Sequence, residues 1–164
     1  MAAAPALLRM AAIVRTLSDR LGFIPPLLAR LFVAHAFYVT GNGKLENPEN
    51  VTRFFTTLGI PMPAANAWFV SHLEFYGAFL LLAGFLTRPV AALLSASMGV
   101  ALMTADKDAF LEAVHMSGQT DITGVAPLVL LIPLVWLVLQ GPGLLSVDAL
   151  LARLLGLNQK TDSN

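Results

Sequence analysis

Between Asp121 and Asp148 the chain carries no charged residue, and most of that stretch is Leu, Val, Ile and Pro. An apolar run of this length must leave water, and about 20 residues suffice to cross the ~30 Å hydrocarbon core of a bilayer. The spacing predicts a span from Ile122 to Leu139, and three more stretches read the same way: Ile24 to Gly41, Ala64 to Phe85 and Pro89 to Ala105. The chain of 164 residues is 57% hydrophobic and only 12% charged. Soluble domains carry about a quarter charged residues, so lipid is the solvent this composition suits. The expected fold is an all-α membrane protein, a bundle of four transmembrane helices flanked by short interfacial helices. Trp68 and Trp136 fall near span ends, where amphipathic rings favour the headgroup level.

Outside the spans, apolar residues recur at helical spacing. Leu7, Leu8, Ala11, Val14, Leu17 and Leu21 oppose Arg9, Arg15 and Arg20, which predicts an amphipathic interfacial helix within residues 1–22 rather than a secretory signal. The transmembrane domain is expected over residues 23–141. Residues 142–164 should form a second interfacial helix, built on Leu144, Val147, Leu150, Leu151 and Leu154, and a tail. Between the first two spans, Asn47-Pro48 reads as a helix start, Val51, Phe54, Phe55 and Leu58 as an apolar face, and Gly59 with Pro61 as the stop.

Orientation follows from the basic residues. Arg9, Arg15, Arg20, Arg88, Arg153 and Lys160 share one side of a four-span arrangement. Lys44, Arg53 and Lys107 lie on the other, among six acidic residues. The positive-inside rule places both termini in the cytoplasm, which makes this a multi-pass protein of the plasma (inner) membrane. Zero net charge and the lack of any basic run exclude nucleic acid as a partner class. The absence of cysteine excludes disulfides, thiolate metal sites and thiol redox chemistry.

An ionisable side chain inside a span costs at least ~2.5–3.5 kcal/mol to insert, so each such residue requires a partner or a function. Arg30 and Glu74 lie at matching depths when counted from the outer ends of spans one and two, which predicts an ion pair between them. Lys44 extends the Arg30 face. The pair either pins the two helices or forms an anion, quinone or proton site. His35 and His72 also lie inside spans, but helical phasing turns each away from its charged neighbour, so haem ligation is not expected. Asp108, Glu112 and His115 share a helix face best explained by solvation. No nucleophile–base pair, phosphate loop or metal signature is present. No catalytic residue, covalent cofactor or metal site is expected of this chain alone.

Motifs add a family resemblance. Arg30-Leu31, Gly41-x-x-Lys44-Leu45, Phe55 with Leu58-Gly59-Ile60-Pro61, Glu74-x-x-Gly77, Gly84-Phe85-Leu86-Thr87-Arg88, Met98-x-x-Ala101 and Gly141-Pro142-Gly143-x-x-Ser146-x-Asp148 occur in order. In that order and spacing the chain resembles the DoxX family over residues 28–152. The resemblance implies a four-helix membrane protein acting as a subunit of a redox-associated complex, linked to quinone or to oxidative or sulfur stress. Its expected partners are the bilayer and other proteins of that complex. The competing expectations are a purely structural anchor and a small transporter of an anion or metal ion.

Overall fold

In a computed structural model, residues 15–16, 21–115 and 121–156 are described, and all regular structure among them is helical. The expected N-terminal interfacial helix lies almost entirely outside the described residues.

Helix α1 (Ile24–Glu46) starts on Pro25-Pro26, whose missing N–H groups cost nothing in a first turn. It runs 23 residues, past the predicted end at Gly41. That glycine is not a stop signal but a contact. A Cβ on Gly41 would come within 2.5 Å of the backbone nitrogen of Phe75, so the missing side chain lets α1 lie directly against the next long helix. Asn47 then turns the chain into α2 (Pro48–Thr57), which buries no residue fully. The Asn47 side chain does not cap α2; it reaches back weakly to the Gly43 carbonyl at 3.5 Å. Gly59, at φ 69°, ends the turn beyond α2.

Helix α3 (Pro63–Ala83) returns antiparallel to α1 and closes on Gly84. With φ 68°, Gly84 lets its own N–H and that of Phe85 bond the Leu81 and Leu80 carbonyls, a Schellman-type end. Helix α4 (Thr87–Met103) follows, and at Thr104–Asp106 the chain bends by 82° into α5 (Lys107–His115). A 3₁₀ turn at Ile122–Gly124, capped by Asp121, leads into α6 (Ala126–Gln140), which contains Pro133. The predicted fourth span is therefore a 15-residue helix entered through this turn. Gly141, at φ 83°, and Gly143, at φ 80°, stop it, and α7 (Val147–Leu154) completes the described chain.

The tightest packing is α1 on α3 and α4 on α6; α3 against α4 and α1 against α6 join these pairs. Val33, Phe37, Ala78, Leu81, Leu94, Leu134 and Leu137 form the shared core. The outward faces are apolar too: Leu28, Phe32, Trp68, Tyr76, Phe79, Leu93, Ile132 and Leu139 are all exposed. Among the described residues, only α1 combines the length and hydropathy needed to cross a membrane by itself. The bent α4–α5 pair would qualify if taken together.

This packing separates two glycines in one helix. Gly41→Ala should force α1 from the α3 backbone, which cannot yield as a side chain can, and destabilise by about 1–3 kcal/mol. Nothing lies within 4 Å of a Cβ on Gly43. Gly43→Ala should therefore be neutral or stabilise by up to ~1 kcal/mol through helix propensity. Thermal unfolding of the two variants in detergent measures the difference.

Candidate functional site

Two polar sites lie at opposite ends of the α1–α3 pair. The upper one is at the C-terminal end of α1. Here the Glu74 carboxyl, 1% exposed, receives the Lys44 ammonium on Oε1 at 2.5 Å and the Thr40 hydroxyl on Oε2 at 2.8 Å. Thr40 and Lys44 lie four residues apart on α1, so one helix face supplies both donors. Glu74 is brought to them by the close approach at Gly41, whose absent Cβ points at the Glu74–Phe75 backbone.

This ion pair borders a cavity of about 1330 Å³. Thr40 and Lys44 form part of one wall, and Leu93, Met98 and Ala101 of α4 face them. Phe54, Phe55 and Leu58 line it from α2, so the apolar face foreseen in the sequence covers the cavity. Asn47, Asn50, Asn66, Ser97, Thr104 and Asp106 add polar groups to a lining that is otherwise mostly apolar. Both Glu74 oxygens are already bonded. Lys44, with side-chain exposure of 29%, has two further N–H donors. Toward the cavity the pair thus offers donors from a group that is neutral as a whole.

The lower site is at the N-terminal end of α1. Arg30 is 1% exposed, and its Nη2 donates to the Leu145 carbonyl. Its Nε and Nη1 are buried without hydrogen-bond partners, as is the Thr87 hydroxyl. Asp148 makes no ion pair with Arg30 among the described residues, but its negative charge lies near enough to favour the cation. Its carboxylate accepts from the backbone N–H groups of Leu86 at 2.8 Å and Thr87 at 2.9 Å, and so caps α4 from another part of the chain. The Asp148 N–H returns a bond to the Gly84 carbonyl at 2.9 Å. A Cβ on Gly84 would overlap Arg30 Nη1 and the Ser146 side chain, so this glycine is required by space as well as by φ. Ser146 caps α7 by accepting from the Ala149 N–H at 3.1 Å.

The expected Arg30–Glu74 pair is therefore not formed. Arg30 lies level with Gly84, and Glu74 lies level with Gly41. The eleven residue steps from position 30 to position 41 amount to about 16 Å of helix. Depth counted from Gly41 misjudged the register, and the continuation of α1 to Glu46 accounts for about half of the error. Lys44, placed on the same face in the sequence reading, is the partner Glu74 has. Asp148 was legible only as the last residue of a motif, and its pairing with the Gly84–Arg88 segment needed the fold to appear.

His35 and His72 are also apart. His72 stacks on Trp68, ring centroids 4.3 Å apart, and its Nδ1 lies 2.7 Å from the Trp68 carbonyl. His35 faces outward, in a groove between α1 and α3. Asp108, Glu112 and His115 remain on α5, and among the described residues no three such side chains gather into a metal-binding group.

Removing the Asp148 carboxylate strips the acceptor from two N–H groups at the start of α4, a loss of about 0.5–2 kcal/mol, and takes away a negative charge that favours the Arg30 cation. Asp148→Ala should therefore lower the melting temperature more than Asp148→Asn, which keeps one acceptor. Arg30→Met should cost less in the Asp148→Ala background than alone. Additive losses in that double-mutant cycle would show that the two charges do not interact.

No curated protein and no solved structure matches this chain. A family model described as DoxX matches residues 26–107, half of the chain, and takes in Arg30, Gly41, Lys44, Glu74, Gly84 and Arg88. The chain belongs to the DoxX family of membrane proteins.

Proposed function

We propose that the chain is a four-helix transmembrane bundle of the plasma (inner) membrane, with both termini cytoplasmic. In this reading it is a subunit of a redox-associated complex whose quinone enters the upper cavity. Several features support the membrane placement. The helices α1, α3, α4 and α6 are apolar outside as well as inside. The 3₁₀ turn lengthens the α6 crossing. Charges also collect at the two ends, with Arg88 and Arg153 below and Glu46, Glu49, Asp106, Asp108 and Asp121 above.

The observation that carries the ligand class is the Lys44–Glu74–Thr40 group at the edge of an apolar cavity. An unpaired lysine there would select anions. A lysine already neutralised by Glu74, with both carboxylate oxygens occupied, favours a neutral acceptor such as a quinone carbonyl. The apolar walls then suit the tail. The same logic disfavours an anion transporter, and a purely structural pair would not need a cavity of this size beside it. Redox chemistry would come from the quinone and the partner proteins; this chain would hold and orient the head group.

A short-tailed quinone analogue should bind the purified protein, and Lys44→Met combined with Glu74→Gln should weaken it about 10- to 100-fold. That is the loss expected for one charge-assisted hydrogen bond of ~1.5–3 kcal/mol. The double substitution avoids stranding a buried charge. Binding unchanged by it would remove the pair from the site, and saturable sulfate binding without quinone binding would favour the transporter reading.

Topology is testable because the native chain lacks cysteine. Cysteines at Asn50 and Asp108 should react with an impermeant maleimide from outside the cell, and one at Arg153 only after permeabilisation. The reverse pattern would invert the orientation.

A further inference from the structure

On α1, Leu28, Leu31, His35, Tyr38 and Asn42 alternate at three- and four-residue steps, the a/d spacing of a left-handed coiled-coil seam. Tyr38 leans on Phe75 and Phe79 of α3, ring centroids 5.8 and 5.7 Å away, while the rest of the seam stays largely open. Leu28 is 58% exposed, Leu31 42% and Tyr38 44%, and His35 is exposed between them. Beside it runs a groove of about 350 Å³ between α1 and α3, floored by the buried Ala34 and Ala78. Small residues at that level let another helix come close.

His35 is the feature that demands an occupant. It is the midpoint of the 23-residue α1, about 17 Å of helix from either end, and it makes no hydrogen bond with any described residue. An imidazole cannot reach the membrane surface from there as a long lysine can, and lipid tails offer it nothing. The N-terminal residues could cover it only by carrying Arg9, Arg15 and Arg20 toward the bilayer centre, at ~2.5–3.5 kcal/mol each. A neutral imidazole holds one donor and one acceptor, so it is complementary to another copy of itself. The face also carries no formal charge, so two copies meet without like-charge repulsion.

We propose that a second copy of this chain covers this face. The two α1 helices pack as a parallel seam about a two-fold axis along the membrane normal, and the two His35 rings share a hydrogen bond at its centre. Such an axis brings each residue to its own counterpart's depth, so Leu31 and Tyr38 meet their copies one turn below and above. A single polar residue at an a position in an otherwise apolar seam also fixes register. The proposal rests on the membrane-spanning reading of α1.

Single cysteines at Leu28, Leu31 and, as a control on the opposite side, Ile132 are introduced into the full chain. They are oxidised in native membranes after a carbonate wash. Leu28→Cys and Leu31→Cys should give a disulfide-linked dimer of twice the chain mass; Ile132→Cys should not. With Leu31→Cys, adding His35→Leu should weaken dimerisation about 3- to 20-fold, the range of measured interhelical hydrogen bonds in membranes. His35→Gln, which keeps a donor and an acceptor, should restore it. Equal cross-linking at Ile132, undiminished dimer in His35→Leu, or cross-links only to a protein of another mass would overturn the proposal. So would dimer formation that appears only when residues 1–14 are deleted, since that segment would then be the native cover. A chain released by carbonate defeats the membrane reading itself, whereas a carbonate-resistant monomer defeats only the dimer.

Discussion

A carboxyl group buried to 1% exposure in an apolar helix pair can exist as an anion only beside a cation, and Glu74 has one because α1 does not stop at Gly41. Much of the upper half of the molecule depends on that fact. Lys44 sits in the last turn of α1, where a cation also opposes the negative end of the helix dipole. Gly41 brings the two backbones together, so the short reach from Lys44 and Thr40 to Glu74 is enough. Desolvating such a pair costs several kcal/mol per ion before attraction repays it. The hydroxyl on the second oxygen matters for this reason: it gives each carboxylate oxygen a donor.

The two ends of α1 solve the same electrostatic problem in different ways. At the lower end, Arg30 is packed so closely that a methyl group on Gly84 has no room, and the nearby Asp148 carboxylate is bonded to the start of α4. Helix end, turn and C-terminal helix are locked by one arginine, one aspartate and one glycine. At the upper end the charged pair faces open volume, and the helix above it, α2, has no fully buried residue to hold it. Rigidity lies below and accessibility above.

The sequence made the helices legible where one physical signal dominated. Gly84, Gly141 and Gly143, present in the sequence as motif residues, end helices because a positive φ there suits glycine best. The apolar face of the segment after Asn47 was legible from spacing, though not that it covers a cavity. Gly41 shows where the reading failed. A glycine near the end of an apolar run serves equally as a terminator or as a close contact, and only the position of Phe75 decides between them. That ambiguity shifted the counted depth and contributed to the expected Arg30–Glu74 pair. Asp148 was out of reach for another reason: its partners, Leu86 and Thr87, are some sixty positions earlier in the chain, and they are backbone groups, which leave no mark on the sequence.

Helix α1 thus presents a different chemistry on each side, and the three are compatible because they are offset in angle and depth. One face turns Arg30, Phe37 and Gly41 into the core. A second carries Thr40 and Lys44 to Glu74 and the cavity. The third, with Leu28, Leu31, His35 and Tyr38, looks outward. Burying that third face against another copy would remove none of the donors at the cavity, since the cavity lies toward α2 and α4 while the seam lies beside the α1–α3 groove. Association and ligand entry would therefore use separate surfaces of the same helix. Coupling between them has a short physical route through α3, by the Tyr38 contacts to Phe75 and Phe79 and the close backbone contact at Gly41.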